Sequence, residues 1–212
     1  MKIVAISDTH GMHRQLTIPE GDVLIHSGDF AGNGSFSEFK EFCAWLGELP
    51  HKHKIVVAGN HDRRLECTNT RDKSIAIISE VATYLEDSSI IIDNVKFYGS
   101  PWQPEFCNWA FNLPRGEALK EKWDMIEEDT NVLITHGPPH TILDYCDGGH
   151  VGCEELHKAT RRLSKLGDLT HHVFGHIHES YGTESVRGTT YHNVSNCTGR
   201  YEPINKVVTF DT

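Results

Sequence analysis

Five short, continuously apolar runs punctuate the chain: IVAIS at 3–7, DVLIHSG at 22–28, KIVVAG at 54–59, NVLIT at 131–135 and HVFG at 172–175. Runs of this length without alternation mark strands buried on both faces. Each is followed at once by a residue able to bind metal, in order Asp8, Asp29, Asn60, His136 and His176. In sheets covered by helices, ligands collect beyond the carboxyl ends of strands, so five strand ends are expected to converge on one site. Helical spacing appears between the runs. Phe36, Phe39, Cys43 and Leu46 share one face, Leu156, Ala159, Leu163 and Leu166 share another, and Ser74 to Glu86 predicts a third helix. The stretch at 89–100 reads as two strands about a turn at Asp93-Asn94, and 189–194 and 206–211 add further strands. The fold class is therefore mixed α/β.

No repeat and no Pro/Gly/Ser-rich linker divides the 212 residues, so one domain over 1–212 is expected. The formal net charge of -10 argues against a long nucleic acid as partner, because phosphate polymers need concentrated Lys and Arg. Two divalent ions would reverse that sign locally and still draw in a small phosphate. The six cysteines Cys43, Cys67, Cys107, Cys146, Cys153 and Cys197 form no CxxC pair, and free thiols are expected. The first apolar run is too short for a signal peptide and no run suits a membrane span, which gives the expectation of a soluble, cytoplasmic protein.

Asp8 and His10 stand two residues apart at a strand end, where both can turn toward one ion. Asp29 follows Gly28, and its two carboxylate oxygens can bridge a pair of ions ~3.5–4 Å apart. Gly59-Asn60-His61-Asp62 places an amide oxygen, an imidazole and a carboxylate in succession, and His176 and His178 alternate so that both point one way in extended chain. This nitrogen and oxygen donor set requires no thiolate and suits manganese, iron, zinc, cobalt or nickel.

These motifs, DTH at 8–10, GDF at 28–30, GNHD at 59–62, THG at 135–137 and GHIH at 175–178, resemble the five-motif signature of the calcineurin-like metallophosphoesterases. More narrowly, SDTHGMHR at 7–14, GSPWQPEF at 99–106, FNLPRGE at 111–117, THGPP at 135–139, VGCEEL at 151–156 and HVFGHIHESYG at 172–182 resemble the animal metallophosphoesterase-domain proteins and their microbial relatives. The resemblance implies a four-layer αββα sandwich of two sheets. It also implies one metal on Asp8, His10, Asp29 and His178 and a second on Asp29, Asn60, His136 and His176, with manganese the first expectation. Some animal members carry glycine where His176 stands, whereas the histidine is kept here. Asp62 stands where the narrower family often has Glu, and the segment between Pro139 and Val151 departs from its pattern.

The mechanism expected from this set is in-line attack on phosphorus by a hydroxide bridging the two ions. His61 would serve the departing oxygen and Asp62 would orient His61. The substrate expected is a small phosphodiester or nucleotide, cyclic nucleotides included. A phosphomonoesterase or phosphoprotein phosphatase and a non-catalytic binding scaffold are the alternatives. Trp102, Phe106, Trp109 and Phe111, in the loop at 101–116, are read either as a stacking platform for a base or as a small hydrophobic cluster. Arg63 and Arg64 read as solvated surface. Of the histidines His140, His150, His157, His171, His172 and His192, His140 is the best placed to reach the pocket.

Overall fold

The apolar runs pair into two sheets in the computed structural model, which describes residues 1–212. The first sheet has the order β15-β1-β2-β3-β4, built from β1 (Lys2–Ile6), β2 (Val23–His26), β3 (His53–Val56), β4 (Thr83–Tyr84) and β15 (Val208–Asp211). Strands β1 to β4 run parallel and β15 closes the edge antiparallel to β1. The second sheet has the order β13-β14-β12-β9-β6-β5, from β5 (Ser88–Ile92), β6 (Val95–Ser100), β9 (Val132–Thr135), β12 (His171–Phe174), β13 (Gly182–Val186) and β14 (Thr189–Asn193). Its four central strands are parallel and both edges are antiparallel hairpin partners. Two small ladders lie in loops: β7 (Gln103–Pro104) with β8 (Asn112–Leu113), and β10 (Tyr145–Cys146) with β11 (Gly149–His150).

The period-2 alternation of strand side chains assigns the layers. Ile3, Ala5, Val23, Ile25, Ile55 and Val57 of the first sheet meet Phe97, Val132, Ile134 and Val173 of the second, so the sheets pack face to face. The alternate residues Val4, Ile6, Leu24 and Val56 point outward onto α1 (Phe36–Glu48) and α2 (Arg71–Ile78), against Phe39, Phe42, Leu46 and Ile78. On the far side Tyr98 and Leu133 meet α3 (Glu117–Asp124) and α4 (Glu154–Leu166) through Leu119, Trp123, Leu156 and Leu163. The αββα sandwich follows directly. Each fully buried aliphatic of the inner layer contributes roughly 1.5–3 kcal/mol. Helix α1 begins in a capping box, where Ser35 accepts from the Glu38 N–H and Glu38 accepts from the Ser35 N–H. Helix α4 ends at Gly167, whose φ of 92° is the left-handed cap that glycine adopts without strain.

One local expectation is corrected, and one helix was not anticipated. Instead of one helix from Ser74 to Glu86, α2 starts earlier and stops at Ile78, and Thr83–Tyr84 lies parallel to β3. The open sheet edge offers the β-branched and aromatic residues backbone partners that helical propensity does not outweigh. Helix α3 carries no long apolar stripe, only the pair Leu119 and Trp123 one turn apart, so the pattern of the sequence does not announce it. All six cysteines are free thiols, and no helix is long and apolar enough to cross a membrane.

Candidate metal centre

At the carboxyl ends of the strands the backbone turns through conformations that L residues seldom adopt. Asp8, His10, Asp29 and His176 have φ of 52°, 43°, 56° and 70°. A left-handed non-glycine residue costs roughly 1–2 kcal/mol, and four of them at one place are held by their surroundings. The Asp8 N–H donates to the Gly28 carbonyl at 2.9 Å, the His10 N–H to the Asp29 carbonyl at 3.0 Å, and the Gly175 N–H to the His136 carbonyl at 2.9 Å. The glycines before His176 and Asn60 have a steric cause. A Cβ on Gly175 would stand 2.0 Å from Asp8 Oδ2, and one on Gly59 2.2 Å from Asp29 Oδ1. The carboxylates thus rest on bare backbone that no other residue could supply.

Asp8 is fully buried; its Oδ2 accepts from the Ser195 hydroxyl and the His176 N–H, both at 2.9 Å, while Oδ1 faces His178 Nε2 at 3.3 Å. Asp29 Oδ1 accepts from the His61 N–H at 2.7 Å, and Oδ2 lies 3.5 Å from His136 Nε2. The imidazoles are oriented by carbonyls, which can only accept. His136 Nδ1 donates to Ser27 at 3.0 Å, His178 Nδ1 to Thr198 at 3.0 Å and His61 Nδ1 to Gly32 at 2.6 Å. Each Nε2 is thereby aimed into the centre. His136 Nε2 lies 2.9 Å from Asn60 Oδ1, and the Nε2 atoms of His10 and His178 face one another across 3.3 Å.

Donor atoms within 4.8 Å of one another form three interlocking groups: Asp8, His10 and His178; His10, Asp29 and His61; Asp29, His136 and His176. His10 and Asp29 each belong to two of them, and Asp29 is the only carboxylate that does. This is a donor set that fits a dinuclear divalent centre, with ring nitrogens gathered beside buried carboxylates.

The electrostatics have the same origin. Burial pushes the Asp8 carboxyl up, but the hydrogen bond and charge of His178, then His136 and His10, hold it well below its usual range. Asp29 is likewise lowered, against burial, mainly by His136. Burial pushes His136 down, yet Asp29 and Asp8 raise it to about 9, and Asp8 raises His178 to about 9 in the same way. His176 falls to about 3 through burial and the nearby charge of His136.

The role expected of Asp62 is corrected. Its carboxylate accepts from the backbone N–H groups of Asp29, Ala31 and Gly59 at 2.9, 3.1 and 2.8 Å. It therefore ties the loops after β2 and β3 together, and the Gly32 carbonyl orients His61 instead. Burial and the charge of Asp29 push Asp62 well above the usual carboxyl value.

A cleft of ≈ 380 Å³ opens over the centre, and its wall includes Arg115, Phe106 and Tyr201 beside the carboxylates Glu105, Asp147 and Glu179. Arg115 is engaged by Glu154 at 2.6 Å and by the Val151 and Gly152 carbonyls. The aromatic loop divides its tasks: Trp102 and Phe111 pack toward the core, Phe106 is exposed in the cleft wall, and Trp109 stacks on His61. His140 does not reach the cleft, nor do His150, His157, His171, His172 and His192. The guanidinium of Arg63 lies over Trp109 and that of Arg64 over Phe36, so neither faces the cleft. Sequence reasoning passed over Ser195, Arg115 and Tyr201. Ser195 follows the run at 189–194 and obeys the strand-end rule, but a hydroxyl is a weak metal ligand and drew no notice. Arg115 stands in FNLPRGE, and nothing in the sequence marks Tyr201.

The sequence model described as calcineurin-like phosphoesterase matches residues 1–180. Metallophosphoesterase domain-containing protein 1 of Homo sapiens is 41% identical over 232 residues, covering 99% of this chain and 70% of that protein. Among solved structures, one described as a novel archaeal phosphodiesterase superposes with a TM-score of 0.54 at 21% identity, covering 100% of this chain and 94% of that one. A putative 5′-nucleotidase from Staphylococcus aureus gives 0.60 at 13% identity, covering 100% of this chain and 55% of that one. These likenesses extend to the fold.

Proposed function

The chain belongs to the calcineurin-like phosphoesterase family, whose members are metal-dependent phosphoester hydrolases, and we propose that it hydrolyses small phosphodiesters, cyclic nucleotides among them. Asp8, His10, Asp29 and His178 would hold one divalent ion, and Asp29, Asn60, His136 and His176 a second, manganese being the first candidate. Bound there, the ions supply Lewis acidity toward the phosphoryl oxygens and lower the pKa of water. The chain's own residues do the rest. Asp29, shared between donor groups, fixes the spacing of the centre. His61, pinned at Nδ1, presents Nε2 to the departing oxygen. A centre of this form would occupy the one domain proposed over residues 1–212.

The observation that favours a diester is the charge of the cleft wall. Besides Asp29, three carboxylates line it, and its one guanidinium is already paired with Glu154. A monoester dianion brings one more negative charge than a diester to this wall, and no unpaired Lys or Arg side chain lines it to meet that charge. The volume suits a small substrate. Metal-stripped protein resupplied with manganese is expected to turn over bis-p-nitrophenyl phosphate faster than p-nitrophenyl phosphate, and Asn60→Ala to lose both activities. Preference for the monoester would replace this reading with a phosphatase.

Metal loading is also expected to release protons. His136 and His178, raised to about 9, are protonated in the metal-free chain at neutral pH, and a ligand nitrogen must shed its proton. Apparent metal affinity therefore rises with pH up to about 9 and flattens above it. Calorimetric titration of manganese in buffers of different ionisation enthalpy measures the release, and equal heats in all buffers would contradict it.

A further inference from the structure

We infer that Trp109 is a positioning residue, which holds the imidazole of His61 in its working orientation by stacking; this rests on the reading of His61 given above. The ring of His61 has one side-chain hydrogen bond, from Nδ1 to the Gly32 carbonyl at 2.6 Å. A single bond is a pivot, about which the ring can rock and carry Nε2 away from the centre. The indole of Trp109 blocks that motion, with centroids 4.2 Å apart and planes inclined by 28°. His10 meets the same imidazole edge-on at 4.7 Å.

Trp109 is itself braced. The Arg63 guanidinium lies 4.5 Å from its ring centroid and donates to the Asn108 carbonyl at 3.0 Å. The Ala110 N–H donates to the Asn60 carbonyl at 3.1 Å, so backbone hydrogen bonding ties the loop to the residue that precedes His61. The aromatic loop and the GNHD turn thus form one unit whose internal contact is the stack. Trp109 is half-buried and lies outside the cleft wall, which places its effect on His61 and not on substrate binding.

The test compares Trp109→Ala, Trp109→Phe and His61→Ala, each checked for metal content, on diphenyl phosphate and bis-p-nitrophenyl phosphate. Trp109→Ala is expected to lower kcat on diphenyl phosphate by about 10–100-fold, the usual effect of losing a residue that orients a site group. KM should hold, and the better leaving group should lose less. Trp109→Phe, which keeps an aromatic face, should recover most of the loss, and Trp109→Ala should cost nothing further in the His61→Ala background. In metal-free protein, a ¹H–¹⁵N histidine-ring spectrum should show the His61 Nδ1–H signal sharp in the parent and Trp109→Phe, and broadened in Trp109→Ala. An unchanged ring signal, or losses that add to those of His61→Ala, would overturn the proposal while leaving the role of His61 intact. Full turnover by His61→Ala would overturn both.

Discussion

Asp29→Ala is expected to abolish metal loading and turnover together. Asp29 is the carboxylate shared between two donor groups: it stands with His10 and His61 in one and with His136 and His176 in the other. Removing it leaves each group without its shared anion. It also removes the charge that, against burial, contributes most to raising His136 to about 9. The vacated imidazoles then lose both the carboxylate that draws cations in and the oxygen that fixes their spacing. Since two-metal charge stabilisation supplies several kcal/mol to the transition state, turnover should fall by about three decades or more. Metal analysis after dialysis, beside steady-state kinetics, checks this. Asp8→Ala is the contrast, because Asp29, His136 and His176 stay in place and one ion should remain. Two ions retained by Asp29→Ala would refute the bridging assignment.

The candidate ligand positions were picked out by one simple relation, a buried parallel strand followed at once by a residue able to bind metal. Asp8, Asp29, Asn60, His136 and His176 all stand in that relation, and the fold places β1, β2, β3, β9 and β12 with their carboxyl ends toward one cleft. The packing of the two sheets was not legible from periodicity, since a strand buried on both faces reads alike whether helices or another sheet cover it. The family resemblance supplied that layer. The orienting partner of His61 escaped for a different reason. Gly32 acts through its carbonyl, which every residue possesses, while the neighbouring Asp62 carries a side chain whose chemistry invited the assignment. The same limit applies to the loop at 101–116: four aromatic residues share one composition, but the path of the backbone decides that Trp109 meets His61 while Phe111 enters the core.

His61→Ala is expected to keep its metal and lose its chemistry. None of the seven proposed ligands is removed, and Asp29 Oδ1 keeps its hydrogen bond because the donor is the residue 61 backbone N–H, which alanine retains. What disappears is the imidazole, whose Nε2 stands 3.9 Å from Asp29 Oδ2 at the floor of the cleft. Assistance to a leaving oxygen is worth about 10²–10⁴-fold, or roughly 3–5 kcal/mol, and the loss should grow as the leaving group becomes a poorer one. The effect should therefore fall on kcat for diphenyl phosphate and be smaller for bis-p-nitrophenyl phosphate, with the same metal content in both assays. Asp62→Asn separates catalysis from architecture. Its carboxylate accepts only backbone N–H groups, so its loss should appear as lower thermal stability with little dependence on leaving group. If His61→Ala slows both esters equally, the imidazole acts on substrate binding or on the centre as a whole, and the leaving-group assignment fails.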